Sequence, residues 1–212
     1  TGSHHDLCLD QLDYQHPTIF GSRVIVEWYN GYQRAEKKYH HPTFGSRLLL
    51  SGLGNVALDI ARIALKKPAA LHATEMPDAC IKHLQTQHIT HVHIMARRGP
   101  AQAKCTPLEL QELLELEDVA THIHPNDLLL SAIDQQECEQ QLRCQKNVAL
   151  FQQISNPPRA DKHLSFHFYS RLNHCMFTNN QHQLTFKRTA LQGPAFRQAI
   201  IDTPQETHYH AD

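Results

Sequence analysis

Arg47-Leu-Leu-Leu-Ser-Gly-Leu-Gly-Asn-Val-Ala-Leu-Asp-Ile-Ala-Arg62 is the stretch that decides the fold. Its leucine run, residues 48–50, has the length and the flanks of a buried parallel strand. The glycine turn Gly52-Leu53-Gly54 follows at once. The apolar residues after the turn then recur at helical spacing; they are Val56, Ala57, Ile60, Ile63 and Ala64. A strand, a glycine turn and a helix therefore succeed one another, which predicts an α/β unit.

Such a unit is typical of a site for nucleotide phosphates. Gly52 allows a tight turn, and Gly54 lets the backbone approach a pyrophosphate because no side chain stands in the way. Ala57 keeps the helix and the strand close, and the N–H groups of the first helical turn face the anion. Because the strand and the helix that this motif requires are both present, the stretch predicts dinucleotide binding.

Residues 90–96 alternate apolar and polar side chains, which predicts the second strand. Arg97 and Arg98 follow directly, ahead of the turn pair Gly99-Pro100. A guanidinium makes bidentate, charge-assisted contacts with phosphate, whereas an acidic residue here would bind the ribose 2′-hydroxyl of NAD. The arginines therefore favour NADP over NAD. The alternative interpretation is a solvated basic pair that caps the strand.

Thr106-Pro107-Leu108-Glu109 has three signals of a helix start. Thr106 is the expected N-cap, Pro107 the first helical residue, and Glu109 the partner that completes a capping box. Glu109 has a second interpretation, because a carboxylate beside a nucleotide could accept a hydrogen bond from a ribose hydroxyl.

The remaining segments are less strongly patterned. Residues 24–29 are rich in β-prone side chains and predict a short strand before the turn signal Asn30-Gly31. A helix is expected at residues 77–87 and a weakly patterned one at 134–151. Three short strands, 164–169, 174–177 and 183–187, predict a β-meander. The fold class is α/β, with a Rossmann-like parallel sheet, flanking helices and a small antiparallel meander.

The expected division of the chain has three parts: a tag remnant and connecting segment at 1–46, an NADP(H)-binding domain at 47–190 and a tail at 191–212. The first five residues, Thr1-Gly-Ser-His-His5, contain no initiator Met and are interpreted as the tag remnant or a cut chain.

The composition excludes several classes of protein. A net charge of −1 argues against binding to nucleic acid or to an anionic membrane, and no apolar run is long enough for a membrane span. The six cysteines show no CxxC pair and are expected to be reduced, which favours the cytoplasm or, in a eukaryote, the mitochondrial matrix. The 18 histidines include the pairs His91/His93 and His122/His124, but no further ligands accompany them, so no metal site is assigned.

Four blocks in this order resemble the adrenodoxin reductase-like ferredoxin–NADP reductases: Trp28-Tyr-Asn-Gly31, Gly52-Leu-Gly-Asn-Val-Ala-Leu-Asp-Ile-Ala-Arg62, Arg97-Arg-Gly-Pro100 with Gln102, and Thr106-Pro-Leu-Glu-Leu110. The resemblance covers roughly residues 15–190. It implies a flavoprotein that transfers a hydride from NADPH to FAD and then single electrons to a ferredoxin-like iron–sulfur protein.

The resemblance also implies roles for individual residues. Leu53, Asn55 and Val56 would line the pyrophosphate together with the glycines. Arg97 and Arg98 would hold the 2′-phosphate, and Glu109 would contact the adenosine side. Two further residues, Trp28 and Asn30, would lie near the crossing between the NADP and FAD domains. No catalytic residue is assigned.

The departures from the family pattern are as informative as the matches. The family has an FAD glycine fingerprint and a second FAD-contacting segment, whereas this chain has eight glycines and one fingerprint. The expectation is therefore an NADP-binding domain without its FAD half, so that FAD would have to be supplied by other protein. A stand-alone NADP(H)-binding sensor or interaction module, and a reductase half that meets a separate FAD-bearing chain, remain as alternatives.

Overall fold

The computed structural model describes residues 9–32, 41–154 and 160–212. Over these ranges the chain forms a four-stranded parallel sheet and a three-stranded antiparallel sheet, with helices packed against the parallel one. The predicted fold class is confirmed. The tag remnant expected at residues 1–5 lies outside the described residues.

The helices are α1 (Ser22–Tyr29), α2 (Asn55–Leu65), α3 (Pro68–Leu71), α4 (Asp78–Thr86), α5 (Pro107–Leu114), α6 (Ala132–Gln140) and α7 (Leu142–Gln152). The strands are β1 (Arg47–Ser51), β2 (His91–Met95), β3 (Val119–Ile123), β4 (Lys162–His167), β5 (Ser170–Thr178), β6 (Gln181–Gln192) and β7 (Ala199–Ala211). Two short 3-10 turns, Pro100–Gln102 and Pro125–Leu128, complete the described structure. None of the helices in the described ranges is both long enough and apolar enough to cross a membrane.

The parallel sheet has the strand order β1-β2-β4-β3, and its neighbours pair in register, Leu50 with Ile94 and Ile94 with Phe166. Because side chains alternate between the two faces of a strand, one face presents an apolar set. Those side chains are buried beneath α2, α5 and α7 in the main core. Burying a residue such as Phe166 stabilises the fold by about 1.5–3 kcal/mol. This core holds the carboxyl ends of β1 and β2 at a fixed spacing.

The opposite face of the same sheet carries a histidine layer, made of His91, His93, His122, His163 and His167. Nδ1 of His93 lies 3.0 Å from Nε2 of His167, and Nε2 of His122 lies 3.0 Å from Nδ1 of His163. Tyr209 of β7 reaches across from the antiparallel sheet, with its hydroxyl 3.1 Å from Nδ1 of His167. The layer therefore lies partly between the two sheets. The described residues contain no group of three or more side chains that could hold a metal ion.

The strand predicted at residues 24–29 is wrong, because this segment lies within α1. The β-prone side chains suggested an extended conformation, but Ile25, Trp28 and Tyr29 recur at helical spacing and are all buried. They pack against Ile60 of α2 and against α4. Burial of this helical face overrides the local β preference.

The predicted meander is displaced along the chain. Residues 164–167, expected as its first strand, belong to β4 and pair with β2 in the parallel sheet. The meander consists of β5, β6 and β7, in that order, and its third strand comes from the tail whose sequence carries no strand signal beyond residues 199–201. β7 is mostly exposed, so its polar composition is that of a solvated strand. The division of the chain at residues 46 and 190 remains a prediction; β6 runs through residue 190.

Two smaller differences concern residues 134–151. The single helix expected there is divided into α6 and α7 at Gln141. The expectation of reduced cysteines is wrong for one pair, since Cys138 and Cys144 form a disulfide with Cα atoms 4.9 Å apart. Cys138 lies in the last helical turn of α6 and Cys144 in the first helical turn of α7, so both are close to the junction of the two helices. Of the other described cysteines, the buried Cys105 has a pKa raised to about 11 by burial, so its thiol stays protonated.

Candidate nucleotide-binding site

The glycine turn, residues 52–54, begins where β1 and β2 end side by side. The N–H of Gly52 donates to the carbonyl oxygen of Met95, the last residue of β2, at 2.8 Å. Gly52 has a φ of +116°, which residues with a Cβ rarely adopt. Behind the turn, α2 begins at Asn55, and its N-cap Gly54 supplies no side-chain acceptor. The first N–H groups of α2 therefore remain available to an anion.

The space above the glycine turn is open. A Cβ built on either Gly52 or Gly54 meets no atom within 4 Å. Val56, in the first turn of α2, is 46% exposed, whereas Ala57 is half-buried. Leu53 packs against the main core and so holds the glycine turn on the side that faces the protein interior. A diphosphate can therefore approach the backbone of the turn without displacing a side chain.

Asn55 joins the glycine turn to the start of α5. Its side-chain oxygen Oδ1 accepts a hydrogen bond from the N–H of Thr106 at 2.7 Å. Nearby, the carbonyl oxygen of Leu53 accepts from the N–H of Lys104 at 3.3 Å. The start of α5 is thus held beside the start of α2. Sequence reasoning missed this role of Asn55, because nothing local signals a partner 51 residues away.

The start of α5 agrees with the sequence prediction in part. Thr106 is the N-cap and Pro107 the first residue, and Oγ1 of Thr106 accepts from the N–H of Glu109 at 3.4 Å. The reciprocal half of the predicted capping box does not form, because the N–H of Thr106 already donates to Asn55. That part of the prediction is wrong. The half-buried carboxylate of Glu109 makes no hydrogen bond within the described parts of the chain.

Three carboxylates, of Asp59, Glu109 and Glu112, and one guanidinium, of Arg62, lie on the side of the site formed by α1, α2 and α5. The hydroxyl of Tyr29 donates to Asp59 at 3.0 Å, and Arg62 pairs with the same carboxylate. Burial is the largest cause of the raised pKa of Tyr29, followed by Asp59, and Glu109 adds to it. The phenol therefore stays protonated. An acidic environment of this kind suits the hydroxyl groups of a ribose better than its phosphates.

The arginine turn, residues 97–100, follows the carboxyl end of β2 and lies beside the glycine turn. The carbonyl oxygen of Arg97 accepts from Oγ1 of Thr189 at 2.9 Å, and that of Arg98 accepts from the N–H of Tyr169 at 3.2 Å. At Gly99, a Cβ would lie 2.2 Å from the hydroxyl of Tyr169. The backbone of this turn is therefore held from the side of the meander.

The two guanidinium groups of the arginine turn are free to take a ligand. Arg97 is exposed and Arg98 half-buried. Neither side chain has a hydrogen bond or an ion pair with another residue in the ranges that the structure describes. Two free cations at the carboxyl edge of a parallel sheet favour a dianionic group such as a sugar phosphate.

Trp28 and Asn30 make their hydrogen bonds and ring contacts with residues outside the glycine turn and the arginine turn. Trp28 is 3% exposed, and its indole N–H donates to Nδ1 of His41 at 2.9 Å. Its ring packs against Phe44 and His83, which belong to neither turn. The exposed amide of Asn30 donates back to the carbonyl oxygen of Val26 at 2.8 Å. Their predicted part in the nucleotide site stays a prediction.

Taken together, the structure assembles most of the predicted site residues at one edge. The N–H groups behind the glycine turn suit a pyrophosphate, the guanidinium groups of Arg97 and Arg98 suit a phosphate on the ribose, and Glu109 lies on the acidic side. Sequence reasoning missed Asn55 as a brace between two helices, and it missed Thr189 and Tyr169 altogether.

No family model matches the chain, but individual relatives do. It is 37% identical over 127 residues to the NADPH-ferredoxin reductase FprA of Mycobacterium tuberculosis. It is 35% identical over 136 residues to the mitochondrial NADPH:adrenodoxin oxidoreductase of Drosophila melanogaster, and 34% identical over 128 residues to that of Bos taurus. These matches cover 60%, 64% and 60% of the chain but 28%, 28% and 26% of the relatives.

The solved structures give the same result over a longer range. A structure of Mycobacterium tuberculosis FprA in complex with NADPH superimposes with a TM-score of 0.87 at 28% identity. The superposition covers 99% of this chain and 46% of that one, so the chain spans about half the length of the solved relative. The predicted resemblance and the predicted fold class are both confirmed.

Proposed function

We propose that this chain is the NADP(H)-binding part of a ferredoxin–NADP reductase of the adrenodoxin reductase type. The similarity to relatives named for NADPH, ferredoxin and adrenodoxin supports this assignment. The observation that carries it is local: the open glycine turn and the free guanidinium groups of the arginine turn follow paired strands at one edge of the sheet.

NADP(H) fits this edge residue by residue. The N–H groups at the start of α2, with Gly52 and Gly54 in front of them, would bind the pyrophosphate. Arg97 and Arg98 would bind the 2′-phosphate, and Glu109 would accept a hydrogen bond from a ribose hydroxyl. The fit is supported by the space above Gly54, by the absence of any competing partner for the arginines among the described residues, and by the unused carboxylate of Glu109.

The complete reaction needs a flavin. In the proposed enzyme, a bound FAD would supply the capacity to take a hydride from NADPH and to release single electrons to a ferredoxin-like iron–sulfur protein. The described residues carry one strand–glycine turn–helix unit, which we assign to NADP(H), so we assign FAD to no residue of this chain. Protein beyond these 212 residues, on the same polypeptide or on a second one, would supply the flavin.

The location proposed from the sequence is the cytoplasm, or the mitochondrial matrix if the source is a eukaryote. The mitochondrial names of several relatives support the second possibility. Expression of a tagged full-length protein followed by cell fractionation would test it.

Nucleotide binding tests the proposed function directly. Thermal unfolding is followed with NADPH and with NADH, each at about 100 times the dissociation constant measured for NADPH. Saturation to that degree stabilises the folded chain by ~2.7 kcal/mol. For a chain of this length the melting temperature should rise by roughly 5–10 °C with NADPH and much less with NADH.

Replacement of one arginine identifies the group that makes the rise in melting temperature larger with NADPH than with NADH. Arg98→Ala should abolish the preference for NADPH, because the 2′-phosphate loses a charge-assisted partner. Arg143→Ala is the matched control, since Arg143 is exposed on α7, outside the proposed site. Equal shifts with both nucleotides for the unaltered chain, or a preference that survives Arg98→Ala, would contradict the proposal.

A further inference from the structure

Two hydrogen bonds to consecutive carbonyl groups hold the arginine turn, one from Thr189 in β6 of the meander and one from Tyr169, which lies between β4 and β5. Thr189 donates its hydroxyl to the carbonyl oxygen of Arg97 at 2.9 Å, and Tyr169 donates its backbone N–H to the carbonyl oxygen of Arg98 at 3.2 Å. Thr189 also donates its own N–H to the carbonyl oxygen of Tyr169 at 2.8 Å. The two residues and the turn thus form one closed set of hydrogen bonds.

Thr189 is placed for this contact by an irregularity in β6. The register between β6 and β7 shifts between Lys187 and Thr189, after which Thr189 pairs with Asp202. Thr189 is 3% exposed, so its hydroxyl is a buried polar group whose acceptor is the carbonyl of Arg97. A buried hydroxyl needs such a partner, because leaving it unpaired costs about 1–3 kcal/mol.

Tyr169 is also fixed in position by its backbone conformation and by the contacts of its ring. It lies between β4 and β5 with a φ of +53°, in the left-handed region that a tyrosine seldom adopts. Its ring lies against Gly99, where a Cβ would be 2.2 Å from the hydroxyl, and the guanidinium of Arg188 stands over it at 5.2 Å. Arg188 is itself anchored by the buried Asp127 at 2.6 Å. The ring therefore fills the space behind the arginine turn.

We infer that Thr189 and Tyr169 are positioning residues that set the preference of this site for NADPH over NADH. The inference rests on the proposed function. Both guanidinium groups extend from a backbone that the meander immobilises, so less conformational freedom is lost when they bind a 2′-phosphate. A loosened turn would keep its charges but lose that advantage. NADH, which lacks the 2′-phosphate, makes no use of the arginines.

The decisive variant is Thr189→Val, which keeps the shape of the side chain and removes the hydroxyl. Dissociation constants are measured for NADPH and NADH by isothermal titration calorimetry. Loss of one hydrogen bond of ordinary strength should weaken NADPH binding about 5–10-fold. The affinity for NADH should change by less than about 2-fold, and Thr189→Ser should restore the preference for NADPH.

Two further variants separate positioning from a general loss of structure. Thr185→Val removes a hydroxyl contact in the same meander, between Oγ1 of Thr185 and Nδ1 of His208 at 3.1 Å, and neither of these residues has a hydrogen bond to Tyr169, Arg188 or the arginine turn within the described ranges. It should leave the ratio of the two affinities unchanged. Gly99→Ala, which pushes against Tyr169, should lower the ratio as Thr189→Val does, and it serves as the test if Thr189→Val does not fold.

The outcomes distinguish the inference from the proposed function. An unaltered chain that binds both nucleotides equally overturns the proposed function and the inference together. An unaltered chain that prefers NADPH, combined with Thr189→Val and Gly99→Ala variants that keep the full preference, overturns the inference alone. Equal weakening of NADPH and NADH in these variants also overturns it, because that is the result of a purely structural role.

Discussion

At the scale of single residues, the two glycines of the turn have separable roles. Gly52 has a φ of +116°, whereas Gly54 has an ordinary φ of −126°, and a Cβ at either position meets no atom. Gly52 is therefore required by the backbone. We expect Gly54 to be required by the proposed ligand, since a methyl group there would occupy the space through which a pyrophosphate would approach.

These roles predict that alanine acts differently at the two positions: it should lower stability at Gly52 and weaken NADPH binding at Gly54. Gly52→Ala should lower the free energy of unfolding by about 1–3 kcal/mol, because alanine is strained at that φ. Gly54→Ala should change it by less than about 1 kcal/mol, as expected for an N-cap without a side-chain bond, yet weaken NADPH binding strongly. Urea unfolding and NADPH titration of both variants check this. A Gly54→Ala chain that binds NADPH normally would disprove the assigned role.

At the scale of elements, the contact between the parallel sheet and β7 depends on uncharged histidines. Burial lowers the pKa of His93 and of His167 to about 4, and in His93 the neighbouring His167, His91 and Arg47 lower it further. The unfolded chain binds these protons near pH 6.5. The stabilisation is therefore complete above about pH 6.5 and is lost as the pH falls toward 4.

The expected loss between pH 7.5 and pH 5 is about 1–3 kcal/mol in the free energy of unfolding, after allowance for partial exposure of the rings. Urea unfolding at the two pH values measures it. The double variant His93→Gln/His167→Gln should be less sensitive to pH by a similar amount. The exposed His88→Gln is the control and should behave like the unaltered chain. Equal pH sensitivity of all three proteins would rule out the histidine layer as the cause.

Elements with local signals could be predicted from the sequence, and those that depend on distant contacts could not. β1, α2, β2 and the start of α5 each combine a periodic pattern with a turn or cap. The strand expected at residues 24–29 is wrong because the β-prone side chains are buried on a helical face. β7 has little sequence signal because an exposed strand needs no apolar alternation. The capping box failed because Asn55, far away in the chain, competes for the same N–H.

The same distinction applies to the site. The glycine turn and the arginines, which are the proposed ligand groups, follow strands directly, so their placement at the edge of the sheet is predictable from the sequence. The supports of the site are not: Thr189 is 92 residues from Arg97, and a lone threonine in a strand carries no signal of its role. Predicting such a contact requires the register of β6, which shifts irregularly at that point.

At the scale of the whole molecule, we expect the 212-residue chain to bind NADPH without oxidising it. The reason is that its one glycine fingerprint is the proposed site for NADPH, and no residue of the chain is assigned to a flavin. With ferricyanide as electron acceptor, the absorbance of NADPH at ~340 nm should stay constant over the time in which an intact reductase would consume it. A yellow purified protein, or rapid loss of that absorbance, would contradict the expectation.

The hydrogen bond from Thr189 to the arginine turn has a consequence for the order in which the parts of this molecule fold. Contacts between residues that are far apart in the chain close late in folding, because a long loop must be ordered first. The glycine turn and the parallel strands that flank it are local by comparison. During synthesis the ribosome releases the arginines well before the strand that carries Thr189. A nascent chain would thus acquire a general affinity for dinucleotides first, and its discrimination between the two coenzymes only when the meander closes.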